Sequence, residues 1–204
     1  MKYFRTDITI TPNQSALIRN ESSVYGAQYL GILDYATLPG SISNKNWNLS
    51  TWNASVESAL VNYPEINIWE IWNEPWVGMF DTGYMNGSAY NYYMTIKSAS
   101  IIIKEHNPNA TVVCFGGAPI NSYYTFLWYA QVWRYGASQY CDAISIHAYP
   151  NGALLNQSEG LQWREALSAY ENLTGKPIWI TETGIPSYRR HTRKHTASNR
   201  KKHS

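Results

Sequence analysis

At 204 residues, 44% of them hydrophobic, the chain has the length and composition to bury one real core. Its net charge of +2 is unevenly spread: Arg189, Arg190, Arg193, Lys194, Arg200, Lys201 and Lys202 all follow Tyr188, leaving nine basic against fourteen acidic groups, a net of −5, in residues 1–188. A mildly acidic body argues against nucleic acid as its main partner, and no apolar run reaches membrane-spanning length.

The first strand signal, Lys2 to Ile10, begins directly after Met1 without a signal peptide. A helix from Ser15 to Tyr25, closed by Gly26, leads to a second strand, Gln28 to Asp34. Trp52, Val56, Leu60 and Tyr63 recur at helical spacing until Pro64. A third strand then runs from Asn67 to Glu74, with Ile68, Glu70, Trp72 and Glu74 expected on one face, Ile71 on the other, and Pro75 ending the ladder. Pro75 also predicts an extended backbone at Glu74. Ser88 can cap a helix that passes through Tyr92, Ile96 and Ile103 to His106, and Ala110 to Gly117 is the fourth strand. An aromatic helical face from Tyr123 to Tyr135, stopped by Gly136, precedes the fifth strand, Asp142 to Tyr149. The last helix, Leu161 to Leu173, leads past Gly175 into the sixth strand, Pro177 to Gly184, which ends on Glu182.

Six strands with five helical crossovers, nearly all apolar enough for burial on both faces, predict a parallel α/β sheet covered by helices. An open doubly wound sheet and a closed barrel both fit. No glycine-rich phosphate fingerprint follows the first strand, and Arg5, Asp34, Glu74, His147 and Glu182 collect toward strand C-terminal ends, as in a TIM barrel.

The segments WEIWNEPW (69–76), IHAYP (146–150) and WITETG (179–184) together resemble the retaining (β/α)8 glycoside hydrolases of the cellulase, β-mannanase and β-xylosidase superfamily. The resemblance covers residues 1–188 and implies that these strands are the second to seventh of the barrel; no first or eighth strand is found. It makes Glu74 the catalytic acid/base and Glu182 the nucleophile. Asn73 is then expected to bond the sugar 2-hydroxyl, Arg5 to hold Glu182 ionised, and His147 and Tyr149 to orient the nucleophile and line the subsite. The chemistry needs two carboxyl groups about 5 to 5.5 Å apart and neither metal nor cofactor. The implied partner is an oligo- or polysaccharide with β-linkages. Trp72, Trp76 and Trp179 are the candidates for stacking on sugar rings, while Tyr124, Trp128 and Trp133 are expected in the core and Glu70 as a paired buried charge.

Two other function classes stay open: a chain that binds glycan without turnover, and one whose basic tail binds nucleic acid. Residues 189–204 carry no aromatic, no acid and one alanine, so they are expected to be a disordered appendage to the 1–188 domain. Cys114 and Cys141 match no metal spacing and are expected to be buried free thiols. Asn-x-Ser/Thr occurs at Asn13, Asn20, Asn48, Asn53, Asn86, Asn109, Asn156 and Asn172, which points to an extracellular protein if the native N-terminus lies upstream, and otherwise to a cytoplasmic one.

Overall fold

The computed structural model describes residues 2–40, 47–77, 83–120, 122–149 and 157–184, the last range with side chains from residue 163 onward. The basic tail and the boundary at residue 188 lie outside the described residues, as does Asn156. Strand and helix alternate throughout: β1 (Lys2–Asp7), α1 (Pro12–Tyr25), β2 (Ala27–Leu33), α2 (Leu49–Asn62), β3 (Ile68–Ile71), α3 (Ala89–His106), β4 (Thr111–Pro119), α4 (Tyr123–Arg134), β5 (Ala143–Ala148), α5 (Gln157–Thr174) and β6 (Ile178–Thr183). All five strand pairs are parallel and the spatial order is the sequence order, β1 to β6.

Local chemistry sets the helix ends. Ser88 and Ser122 each accept from the backbone N–H three residues on, at 3.2 Å, and Asn48 accepts from Thr51 at 3.0 Å. Gly26 closes α1 in the left-handed conformation at φ 61°, its N–H donating to Glu21 O.

Strand alternation divides the sheet into two faces. Trp69, Ile71, Val112, Ile144 and Ile146 join the large core under the helices, whereas Leu30, Ile32, Val113 and Ala143 form a small apolar floor with Ile68 and Trp179. The sheet curls over that floor far enough for Arg5 on β1 to pair with Glu182 on β6. A parallel α/β sheet curled in this way fits part of a (β/α)8 barrel.

Four expectations need correction. The terminal strands are not buried on both faces: Tyr3 is 62% and Ile180 52% exposed, because β1 and β6 each pair on one side only among the described residues. Tyr124 projects into solvent at 85% exposure, although Trp128 and Trp133 do pack on the core. Trp179 lies on the apolar floor, away from the mouth. Cys114 and Cys141 form a disulfide, Cα atoms 5.7 Å apart, because the β4–β5 register sets Ile144 beside Cys114 and brings the entry to β5 alongside.

Candidate active site

Glu74 is positioned by a break in β3. The ladder ends at Ile71; Trp72 then turns to φ 71° while donating its N–H to Leu33 O at 2.7 Å. Trp72 is thereby directed into the core, fully buried against Trp47 and Trp52 at 5.3 and 5.5 Å between centroids, so it cannot meet a sugar. Glu74 itself sits at φ 43°, not in the extended conformation expected before Pro75. Its N–H donates to Gly116 O at 2.6 Å, a tie to the neighbouring strand that overrides the local preference. Left-handed backbone at a non-glycine residue costs about 1–3 kcal/mol and persists where the surroundings over-determine it, commonly at functional sites.

The partner of that hydrogen bond is itself irregular. Phe115, Gly116 and Gly117 all have positive φ, at 78°, 54° and 82°, and the β4–β5 register shifts between Cys114 and Ala118. A Cβ on Gly117 would lie 2.1 Å from His147 Nε2, so only glycine lets the imidazole occupy its place. Sequence reading missed this bulge, although the adjacent glycines inside a strand were its signal.

His147 is 3% exposed and stands between the two glutamates, with Nδ1 2.8 Å from Glu74 Oε1 and Nε2 3.5 Å from Glu182 Oε1. Glu182 reaches this position through a second irregularity: Ile146 pairs with Ile180, but His147 pairs with Glu182, so Thr181 is inserted. Thr181 Oγ1 donates to Glu70 Oε1 at 3.2 Å.

Arg5 links the set. It donates from Nε to Glu70 Oε2 at 2.5 Å, from Nη1 to Glu182 Oε1, and from Nη2 to Asn73 Oδ1 at 2.9 Å. Burial works against its charge, but Glu70 and then Glu182 outweigh this and hold its pKa above the ordinary value. Glu70 is fully buried and paired, as expected from the sequence. Tyr149 donates its hydroxyl to Glu182 Oε2 at 2.5 Å; that bond, with burial, pushes the phenol up to about 12. Trp76, 36% exposed on the turn after Glu74, is the candidate stacking ring left near the mouth. Asp34 is buried just beyond β2, with Oδ1 accepting from Ala36 N at 2.8 Å and Oδ2 buried without a hydrogen-bond partner among the described residues. Burial, then the nearby Asp7 charge, pushes its carboxyl up to about 8.

Glu74, His147 and Glu182 each offer a ligand atom within 4.8 Å of the others, close enough to share a cation. Arg5 already places a positive charge against Glu182 Oε1, and Tyr149 occupies Oε2, which disfavours that use. What remains is a pair of facing carboxyl groups. Glu182 is bonded through both oxygens, whereas Glu74 is bonded to His147 through Oε1. The three glutamates and one arginine of this cluster carry excess negative charge, suited to a transition state with positive character.

No family model matches the sequence, and no curated protein does. Solved structures do. The fold is similar to a family 39 glycoside hydrolase from the gut symbiont Bacteroides cellulosilyticus (TM-score 0.64, 17% identity, 92% of this chain and 44% of that one). It is similar to a glucosidase from Croceicoccus marinus (0.64, 14%, 93% and 47%) and to a monomeric β-xylosidase from Caulobacter crescentus (0.57, 14%, 92% and 52%). The chain thus spans about half the length of these proteins, and at such identities the likeness is one of fold. What the likeness shows is a parallel α/β sheet that fits part of a (β/α)8 barrel.

Proposed function

We propose that this chain carries the catalytic centre of a retaining glycoside hydrolase acting on β-linked oligo- or polysaccharides, with Glu74 as acid/base and Glu182 as nucleophile. The observation that carries the reading is the pair of carboxyl groups facing each other on either side of His147, one oxygen of each within 4.8 Å of the other. Inverting enzymes hold theirs about 6.5–9.5 Å apart to admit a water, retaining ones about 5–5.5 Å.

In the first step Glu182 attacks the anomeric carbon as Glu74 transfers its proton to the departing oxygen, giving a glycosyl ester on Glu182 and a free alcohol. In the second, ionised Glu74 takes a proton from water, which attacks the anomeric carbon and releases Glu182 as carboxylate. Arg5 and Tyr149 hold the nucleophile in place by donating to its two oxygens. With Asn73 Oδ1 accepting from Arg5, its Nδ2 can donate to a substrate hydroxyl. His147 keeps both carboxyl groups aimed at one point.

The barrel position follows the same reading: β1 to β6 serve as barrel strands two to seven. Two features support an oxidising, extracellular setting: the buried Cys114–Cys141 disulfide, and the exposure of Asn13, Asn20, Asn48, Asn86, Asn109 and Asn172 within their acceptor motifs.

The roles separate kinetically. Glu182→Ala should abolish turnover of every β-glycoside, whereas Glu74→Ala should spare the first step on activated aryl glycosides, whose leaving groups need little protonation. Equal losses in both variants on an activated substrate would refute the assignment, and glycan binding without turnover in the wild type would support the idle-cleft alternative.

A further inference from the structure

We propose that Cys114 and Cys141 are positioning residues of the active centre: their disulfide anchors the β4 bulge on which Glu74 and His147 are seated. This rests on the reading of Glu74 as the acid/base. Cys114 is the last regularly paired residue of β4 before three successive left-handed residues, Phe115, Gly116 and Gly117. Of these, Phe115 has a side chain and therefore a steric penalty for its conformation. Such a segment keeps its shape only where neighbours fix it on several sides. Here Phe115 O accepts from Tyr129 Oη at 2.7 Å, and Gly117 N donates to Ser145 Oγ at 2.8 Å. Ser145 Oγ in turn donates to Cys114 O at 3.1 Å.

The covalent tie completes that set at the base of the bulge. Cys141 lies six residues before His147 on the chain entering β5, so the disulfide fixes β4 against the strand that carries the imidazole. The bulge serves the site at two points: Gly116 O holds the Glu74 backbone, and Gly117 leaves room for the His147 ring. With the tie removed, the segment can relax toward ordinary strand geometry, which withdraws Gly116 O from Glu74. The acid then loses its aim, while Glu182, fixed by Arg5 on β1 and by Tyr149 just past β5, keeps its place.

Removing a disulfide that merely staples the fold would lower stability without changing the chemistry. The two roles differ in their dependence on leaving group. In Cys114→Ala/Cys141→Ala, kcat/KM, which reports the first step, should fall about ten-fold or more on an unactivated alkyl β-glycoside and change little on the dinitrophenyl glycoside. An Ile103→Val variant, destabilised in the core at a distance, should leave the ratio of the two substrates unchanged. Equal loss on both substrates in the double variant would overturn the proposal.

Two further measurements do not need activity. Amide exchange at Gly116 and Gly117 should accelerate in the double variant while that of Leu30 and Ile32 does not; uniform acceleration contradicts anchoring. Thiol titration of the unreduced wild type in denaturant should find no free thiol, and two free thiols would remove the basis of the proposal even if the variant fails to fold. A wild type without glycosidase activity whose bulge loosens selectively would refute the catalytic reading and leave the anchoring intact.

Discussion

Asp34 and Arg5 show how single buried charges set both stability and site geometry. The Asp34 carboxyl is raised from 3.8 to about 8 in the folded chain, so folding is favoured by its protonated form. That contribution is complete below pH 3.8, where folded and unfolded chains are both protonated, and is lost as the pH rises through about 8. Asp34→Asn keeps the acceptor for Ala36 N and removes the titration. Its stability should therefore gain on the wild type between about pH 4 and 8, by an amount on the order of several kcal/mol, read as a widening gap between the two melting temperatures; parallel profiles would show that Asp34 is ionised at little cost. Arg5 acts in the opposite sense. Arg5→Met should destabilise the chain by about 3–5 kcal/mol, because Glu70 is left buried and unpaired. Adding Glu70→Leu should restore most of that stability but not hydrolysis, since Glu182 still lacks its cation. A double variant with recovered activity would show that Arg5 serves the fold alone.

The same contrast between rule and exception runs through the elements. Gly117→Ala places a methyl 2.1 Å from His147 Nε2 at φ 82°, so the ring must move and kcat should fall about 100-fold. Gly26→Ala also forces a positive φ, 61°, but meets nothing within 4 Å among the described residues; it should cost about 1–2 kcal/mol of stability and leave kcat unchanged. Comparable losses of activity in both would mean that the Gly117 contact is not what holds the imidazole. The regular elements were legible in the sequence because each rests on local signals: Ser88 caps α3, Gly26 closes α1, and Pro64 follows the stop of α2. The residues of the site were legible as types, through their strand-end motifs. Their placement was not, because it depends on contacts between strands. Trp72 was expected beside Glu74, yet the hydrogen bond to Leu33 turns it into the core. Glu74 was expected in extended backbone, yet Gly116 O holds it otherwise. The disulfide was invisible for the same reason, since two cysteines 27 residues apart become neighbours only when β4 and β5 pair.

For the whole molecule, the curled sheet brings groups from distant strands to one centre while leaving β1 and β6 with one neighbour each among the described residues. Tyr3, Phe4 and Ile180 are exposed beside those edges, an arrangement that favours strand addition between copies. The 204-residue chain should therefore self-associate with increasing concentration, and Tyr3→Lys with Ile180→Lys should reduce the effect in light scattering. Scattering unchanged by those substitutions would place the association elsewhere. The central claim, that Glu74 and Glu182 act as a retaining pair, requires a covalent sugar on Glu182 during turnover. Incubation with activated 2-deoxy-2-fluoro β-glycosides, which slow the second step, followed by peptide mass mapping, tests it most directly. The account predicts one fluoroglycosyl group per chain, on Glu182, and none in Glu182→Gln. A label on another residue, or a wild type that hydrolyses the parent glycoside but is never labelled, would contradict it.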